Sequence, residues 1–368
     1  MDSAQQALHA ITERVQAAAA SGTPLRIRGG GSKDFYGEPP VGELLDTRAL
    51  AGVTSYEPSE LVVTVRAGTP LAELETLLAA HGQCLPFEPP HFGGGATVAG
   101  MVAAGLSGPA RASVGSVRDY VLGLTLLGGS GELLSFGGQV MKNVAGYDVS
   151  RLMAGALGTL GLITEVSLKV LGVAPAEATL KFEMDQQRAL DSLNAWGGRP
   201  LPLNASCWVH DGGVGTLYLR LRGAVAAVES ACKSLGGERQ DSAVVAPDWT
   251  LCRDQRLPWF LERGERELWR LSLPQTAPVL QLPDAPLIEW HGGQRWVRAE
   301  PGQAQALREA AAKVGGSATL FIASQVHPPG ATARFDPPKP PLDRIQRELK
   351  RQFDPAGIFN RGRLFASY

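Results

Sequence analysis

The stretch Pro89–Gly100, PPHFGGGATVAG, opens a segment in which only Arg111 is charged between Gly93 and Val117. Consecutive glycines let backbone N–H groups approach an anion closely, because no side chain stands between them and the ligand. A helix that follows the glycines would add the positive end of its dipole. The stretch therefore predicts a loop and helix that hold an anionic group, with a phosphate-bearing cofactor as the first candidate.

Two more glycine-rich loops lie in the same half of the chain, at Gly29–Gly31 and Gly158–Gly161, and 26 of the 44 glycines lie within residues 29–172. None of these loops fits the P-loop or the dinucleotide-binding Rossmann pattern. A single loop of this kind is most simply an ordinary turn. Three in one half, two of which lead into apolar helix-like segments, favour a cofactor site of another type.

Composition excludes several classes of protein. A length of 368 residues predicts about two domains, and a net charge of −1 lacks the basic character of a nucleic-acid-binding protein. Four scattered cysteines predict no zinc site, no cysteine-bound iron–sulfur cluster and no disulfide framework. The N-terminus does not resemble a signal peptide, and no apolar run is long enough to cross a bilayer. We expect a cytoplasmic protein.

Periodicity and turn residues predict an α+β first half and a second α+β domain after Pro175. In the first half we expect a helix at 4–20, strands at 25–28, 61–66, 121–127, 132–136 and 162–171, and a helix that Thr69 caps and that ends at 81. In the second we expect β-α-β-β-α over 177–183, 186–196, 204–210, 215–222 and 224–236. A terminal helix at 342–353 carries Arg344, Arg347, Lys350 and Arg351 on a basic face, for which a solvated surface is favoured over a face that docks a partner.

Four motifs give the chain a family resemblance. With Ile27–Lys33, Pro89–Gly100, Gly158–Thr164 and Phe353–Asn360 in this order, it resembles the vanillyl-alcohol-oxidase (PCMH) type of FAD-binding flavoproteins. Within that type, Gly108–Arg111, Met141–Leu152 and Trp290–Trp296 resemble the E subunits of bacterial glycolate oxidases. The resemblance implies an α+β fold: a two-part PCMH-type FAD-binding domain (1–173), a smaller α/β-sandwich cap domain (174–336), and a C-terminal segment (337–368) that returns to the FAD domain.

The resemblance also implies which residues hold the cofactor. The first loop and the Ala96–Gly100 region would take the pyrophosphate, with Thr97 near it, and Asn360 would return to the flavin. Relatives that bind FAD covalently carry His where this chain has Ser32, so we expect non-covalent FAD. The implied FAD-binding residues are Arg28, Gly29, Gly30, Gly31, Ser32, Lys33, Pro90, Gly94, Gly95, Ala96, Thr97, Ala99, Gly100, Arg111, Gly158, Thr159, Gly161, Ile163 and Asn360. Two roles are open for Arg111. It either contacts a phosphate or a carbonyl group of the flavin, or it forms a salt bridge at the rim.

Catalytic residues are harder to identify. Related D-2-hydroxy-acid dehydrogenases have a histidine pair and an acidic residue as a metal site, but His210, His291 and His327 stand singly here, so we expect no metal. His91, beside the second glycine loop, is a weak candidate for a catalytic base, and a hydrogen-bonding role is the simpler interpretation. Lys142 and Tyr147 would face the flavin or serve packing. His291 and Arg295, between Trp290 and Trp296, would line a small-anion pocket or belong to a core hairpin, and the latter is favoured.

The resemblance leads to an expected function. The chain would be the FAD-bearing subunit of a complex that oxidises glycolate or another small 2-hydroxy acid. Its partners would be a larger homologous FAD subunit and an iron–sulfur subunit, with no nucleic acid and only peripheral contact with the cytoplasmic membrane. Two alternatives stay open: a self-sufficient FAD-dependent 2-hydroxy-acid dehydrogenase, and a non-catalytic flavin-binding assembly subunit.

Overall fold

The computed structural model describes residues 3–138, 148–325 and 332–366. Lys142, Tyr147, His327 and most of the Met141–Leu152 motif lie outside the described residues. The chain divides into two compact units. The first comprises Met1–Leu106, Ser116–Gly172 and Pro337–Tyr368, and the second Ser107–Gly115 and Val173–Asp336. The expected division at 173 and 336 did not include the short segment Ser107–Gly115 in the second unit.

Both units contain helices and strands. The helices are α1 Ser3–Ser21, α2 Leu71–Ala80, α3 Val98–Ala104, α4 Arg111–Val114, α5 Val117–Tyr120, α6 Gln186–Gly197, α7 Val225–Leu235, α8 Ser242–Arg253, α9 Pro258–Leu261, α10 Ala304–Lys313 and α11 Leu342–Phe353. The strands are β1 Leu25–Arg28, β2 Glu43–Asp46, β3 Val53–Glu57, β4 Val62–Arg66, β5 Gln83–Cys84, β6 Val121–Leu127, β7 Leu133–Gly137, β8 Leu162–Lys169, β9 Leu171–Gly172, β10 Ala176–Glu183, β11 Leu203–Asp211, β12 Val214–Gly223, β13 Glu238–Arg239, β14 Glu267–Ser272, β15 Leu287–Glu289, β16 Gln294–Ala299 and β17 Ser317–Ile322.

The first unit contains a five-stranded antiparallel sheet in the order β3-β4-β8-β6-β7 and a parallel pair, β1-β2. Helix α1 buries Ile11, Val15 and Ala18 at helical spacing in the core of this unit. The C-terminal segment joins the same core through Ile358 and Phe359. A backbone bridge links Phe359 to Leu25 at the start of β1. The end of the chain is therefore part of the first unit.

The second unit is built on an eight-stranded antiparallel sheet in the order β13-β10-β12-β11-β15-β16-β14-β17. Apolar side chains of β10, β11 and β12 pack on one face against α6 and α7, and those of β14 and β16 pack against α10. Side chains alternate between faces along a strand. Thr179 therefore points to the opposite face, where its hydroxyl accepts a hydrogen bond from Trp249 of α8.

The expected α+β class and the β-α-β-β-α order of the second half are confirmed. Two details are wrong. Thr69 does not cap α2, which begins after Pro70, because the Thr69 hydroxyl is used by Gly52 and by the carbonyl of Arg66. Helix α8 was not expected, since Pro247 lies inside it.

Candidate functional site

The first two glycine loops of the first unit, Gly29–Gly31 and Gly93–Gly95, face each other in close contact. A Cβ atom at Gly30 would lie 1.4 Å from the carbonyl oxygen of Gly95, and one at Gly29 would lie 2.3 Å from the Thr97 hydroxyl. Real Cβ atoms do not approach other atoms so closely. Gly95 also has a φ of 88°, a conformation that L side chains rarely adopt. Glycine is therefore required at Gly30 for the loops to touch.

This pair of loops offers unused hydrogen-bond donors. Among the described residues, no backbone hydrogen bond uses the N–H groups of Gly30, Gly31, Gly94 or Gly95. A Cβ at Gly94 would meet nothing within 4 Å, so space is open in front of the second loop. Thr97 caps α3, and its side chain accepts a hydrogen bond from the N–H of Gly100 at 3.3 Å. The arrangement presents several N–H donors to an anion that enters this space.

Asn360 ties the third glycine loop to the first strand. Its side-chain oxygen accepts a hydrogen bond from the backbone N–H of Ile27 at 2.8 Å, and its amide nitrogen donates to the carbonyl of Leu157 at 2.6 Å. A Cβ at Gly158 would lie 2.7 Å from that amide nitrogen. Asn360 is buried, with a φ of 42°. The C-terminal residue expected near the cofactor thus joins two of the predicted cofactor-binding segments.

A buried ion pair fixes the segment that carries Asn360. The ammonium group of Lys350 donates to the Asp354 carboxylate at 2.6 Å and to the carbonyl oxygens of Thr159 and Phe359 at 2.7 and 2.8 Å. Burial lowers the pKa of Lys350, and the Asp354 charge opposes that shift. Asp354 also accepts the backbone N–H groups of Ile358 and Phe359. Lys350 was expected on a solvated basic face; that expectation is wrong, because the turn after α11 folds back over it.

His91 has a carboxylate partner. Its Nε2 lies 2.9 Å from an oxygen of Glu75 on α2, and both side chains are partly buried. The neighbouring Phe92 packs edge-on against Phe35, with 5.1 Å between ring centroids, and the ammonium of Lys33 lies 5.6 Å from the Phe92 ring. The loop after Gly31 and the loop before Gly93 therefore also meet through side chains. These contacts fit a positioning role for His91 better than that of a free base.

His291 lies in the second unit and is held by two serines. Its Nδ1 lies 3.1 Å from the Ser206 hydroxyl, and its Nε2 lies 3.0 Å from the Ser113 hydroxyl. The Ser206 oxygen also accepts the backbone N–H of His291 at 2.9 Å. Burial lowers the pKa of the imidazole to about 4. The ring is therefore neutral at pH 7.

This shifted pKa predicts a loss of stability in acid. The unfolded chain binds a proton at His291 near pH 6.5, whereas the folded chain does so only near pH 4. Stability is therefore full above about pH 6.5 and falls as the pH drops towards 4, by about 2.5 kcal/mol at pH 4.5. Urea unfolding at pH 7.5 and 4.5 measures the effect. We expect His291→Gln to lose less stability between the two pH values than the wild type, and an equal loss would contradict the assignment.

The other polar candidates of the second unit are engaged elsewhere. Arg111 stacks on Trp290, with 4.4 Å between its guanidinium carbon and the ring centroid. Arg295 is fully buried and donates to the carbonyl oxygens of Ala277 and Pro278, each at 2.6 Å. Arg295 does not line an open pocket. This agrees with the interpretation that it belongs to a core hairpin. His210 packs edge-on against Trp208.

In residues 3–138, 148–325 and 332–366, no group of three or more His, Cys, Asp or Glu side chains is placed to hold a metal ion. Within the same ranges, no helix is long and apolar enough to span a membrane.

Comparisons with known proteins identify the family. A family model described as an FAD binding domain matches residues 7–137. The glycolate oxidase subunit GlcE of Escherichia coli K12 is 44% identical over 357 residues, which cover 97% of this chain and 97% of that protein. The chain belongs to the GlcE family of glycolate oxidase subunits. It is thus a PCMH-type flavoprotein, its cofactor is FAD, and it falls among FAD-dependent oxidoreductases.

Other relatives of this GlcE-family chain align over a smaller part of it. The mitochondrial D-lactate dehydrogenase [cytochrome] of Arabidopsis thaliana is 32% identical over 38% of the chain and 25% of its own length. The glycolate oxidase subunit GlcD of Bacillus subtilis is 29% identical over 43% of the chain and 34% of its own length. A solved structure of alkyldihydroxyacetonephosphate synthase superposes with a TM-score of 0.64 at 16% identity, covering 95% of this chain and 73% of that one, which shows a common fold.

The described site fits FAD. A dinucleotide carries a pyrophosphate, and the two facing loops present N–H donors beside open space, with no lysine needed as a phosphate clamp. Sequence reasoning found these loops because glycine runs are visible in a single sequence. It missed the Ser113–His291–Ser206 contacts, because they join residues far apart in the chain. It also missed the Lys350–Asp354 pair, because the burial of Lys350 depends on contact with the distant carbonyl of Thr159.

Proposed function

We propose that this chain is the FAD-bearing subunit of a complex that oxidises glycolate or a similar small 2-hydroxy acid. The observation that carries the proposal is the GlcE similarity, which spans both units, whereas the GlcD and D-lactate dehydrogenase similarities cover less than half of the chain. The partners would be a homologous, larger FAD subunit of the GlcD kind and an iron–sulfur subunit. Contact with the cytoplasmic membrane would be peripheral and made through these partners.

Within the chain, we assign FAD binding to the facing glycine loops and to the segments that Asn360 joins. When bound, FAD supplies the capacity to accept and pass on two electrons. The backbone N–H groups of Gly30, Gly31, Gly94 and Gly95 would hold the pyrophosphate, with the Thr97-capped helix α3 behind them. Ser32, whose hydroxyl accepts a hydrogen bond from Lys33 at 3.3 Å, stands where covalent relatives have histidine, so the flavin would be non-covalent. The remaining contacts would come from Arg28, Gly29, Lys33, Pro90, Ala96, Ala99, Gly100, Gly158, Thr159, Gly161, Ile163 and Asn360.

The contacts of His91 and His291 favour a subunit that depends on its partners. His91 is paired with Glu75, and His291 with two serines, so neither stands ready as a free base. We therefore favour a role in which this flavin relays electrons within the complex. The two alternatives, a self-sufficient dehydrogenase and an assembly subunit with a structural flavin, give different outcomes in one experiment.

The test uses anaerobic absorption spectra of the full-length chain, first alone and then co-purified with a GlcD-type and an iron–sulfur subunit. We expect a flavin band that glycolate leaves oxidised in the isolated chain, and that glycolate bleaches in the complex beyond the contribution of the GlcD-type subunit. Bleaching in the isolated chain would establish the self-sufficient enzyme instead. Full activity of a complex whose copy of this chain lacks FAD would establish the assembly subunit.

A further inference from the structure

A cavity of about 300 Å³ lies in the second unit, between strands β11 and β12 and helices α8 and α9. This volume falls at the lower end of the range of small-molecule sites, which combine apolar walls with a few polar groups. All of the lining residues belong to the second unit. None of them is among the residues to which FAD binding is assigned, so the proposed function gives this cavity no role.

Two tryptophans form rigid walls of the cavity. The indole N–H of Trp249 donates to the Thr179 hydroxyl at 3.0 Å, and the Arg220 guanidinium stacks on the same ring at 4.8 Å from its centroid. The Arg298 guanidinium stacks on Trp259 at 4.6 Å. The chain itself makes these contacts, so both rings are held in place before any ligand binds. An apolar group that enters would bury surface without the cost of ordering the walls.

The buried part of the lining suits the apolar body of a ligand. It consists of Cys207, Val245, Trp249, Cys252 and Trp259. The pKa of the Cys252 thiol is raised well above its ordinary value, because the thiol is hydrogen-bonded to Cys207 and is buried. This thiol is therefore protonated at pH 7, and a protonated cysteine packs as a small apolar side chain.

The mouth of the cavity is acidic. Among the described residues, those that line the cavity include the carboxylates of Asp248 and Glu262 but no lysine or arginine. No described residue makes a hydrogen bond or an ion pair with the exposed Asp248 carboxylate. Glu262 lies 3.8 Å from Arg298, which has a closer partner in Asp284 at 2.8 Å. The Asp248 charge thus remains for a ligand, and a cation is the ligand that it attracts.

We propose that this cavity binds a small organic ammonium ion, with the apolar body between Trp249 and Trp259 and the ammonium group beside Asp248. Aromatic walls also favour a cation, through the negative faces of their rings. His210 lines the same cavity, and its imidazole makes no hydrogen bond with any described residue. A nitrogen of the neutral ring is therefore available to accept an N–H of the ammonium group.

The test is calorimetric titration of the full, FAD-loaded chain with three probes of similar size: 2-phenylethylamine, 2-phenylethanol, which lacks the charge, and phenylacetate, which reverses it. We expect the amine to bind most tightly and phenylacetate most weakly. Asp248→Asn should weaken binding of the amine about three- to fivefold, as for an ion pair at an exposed position, and leave the alcohol unchanged. The matched control is Glu238→Gln, an exposed carboxylate on β13 outside the cavity, which should change neither affinity.

Val245→Phe tests the location of the site. The larger side chain fills part of the cavity, so we expect the amine and the alcohol both to bind at least about tenfold more weakly. Val244→Phe is its control, because Val244 is the exposed neighbour on α8 and should leave both affinities unchanged. Thermal unfolding and FAD content should match the wild type in every variant. Should Val245→Phe fail to fold, the exposed Asp248→Asn substitution decides.

Three outcomes would each overturn the site. They are no saturable binding of the amine to the wild type, equal affinity of the wild type for the amine and the alcohol, and an Asp248→Asn or a folded Val245→Phe variant whose titration with the amine matches the wild type. Oxidation of glycolate by the complex is a separate measurement, so failure of this site would leave the proposed function standing.

Discussion

Aspartate in place of Gly94 is expected to lower the affinity of the chain for FAD by about two orders of magnitude. Gly94 faces open space, is not among the glycines with positive φ, and would accept a Cβ without a contact under 4 Å. A carboxylate there would stand beside the pyrophosphate we assign to these loops. One pair of like charges about 5 Å apart costs about 3 kcal/mol at an effective dielectric constant of ~20. FAD titration of the apoprotein, with the flavin absorbance of the purified variant, measures the loss.

Gly94→Asn is the matched control, because asparagine has the same shape without the charge. We expect it to bind FAD nearly as the wild type does. Gly30 is unsuitable for this comparison, since any side chain there would collide with the Gly95 carbonyl and separate the loops. Equal FAD affinity in the Asp and Asn variants would show that the pyrophosphate is not held at this loop.

Methionine in place of Lys350 is expected to destabilise the first unit by about 3–5 kcal/mol, since it leaves the buried Asp354 carboxylate without its cation. The carbonyl oxygens of Thr159 and Phe359 lose the same donor. Because Asn360 follows Phe359 directly, we also expect weaker retention of FAD. Urea unfolding and the flavin content of the purified variant measure the two effects.

Arg351→Met provides the control for this substitution. Arg351 is the next residue on α11, but its side chain is exposed and pairs with Glu348 at the surface. Surface pairs of this kind contribute less than about 1 kcal/mol. If both variants lost the same stability, the buried pair would not be what holds the C-terminal segment in place.

Much of the fold could be predicted because it depends on local patterns. The apolar spacing of Ile11 and Val15 predicts α1, and the alternation along 204–210 and 215–222 predicts the hairpin of β11 and β12 to within one residue at each end. Helix α8 was not predicted although its buried residues Val245, Trp249 and Cys252 have helical spacing, because Pro247 lies inside it and proline disfavours a helix interior. Its packing depends on contacts with particular residues of the sheet, such as Thr179 and Glu289, which the sequence does not show.

The same distinction between local patterns and tertiary contacts applies to the candidate site. The sequence by itself predicted that glycine loops at 29–31 and 93–95 hold an anionic cofactor, and it determined that the chain resembles FAD-binding flavoproteins, because glycine runs and their spacing are local properties. Only the tertiary structure decided that Lys350 is a buried cation rather than a surface one, and that Ser107–Gly115 joins the second unit. Hydrogen bonds such as Ser113 to His291 join residues 178 positions apart. Such contacts leave no local pattern in the sequence, because they form only when the packed core brings the two segments together.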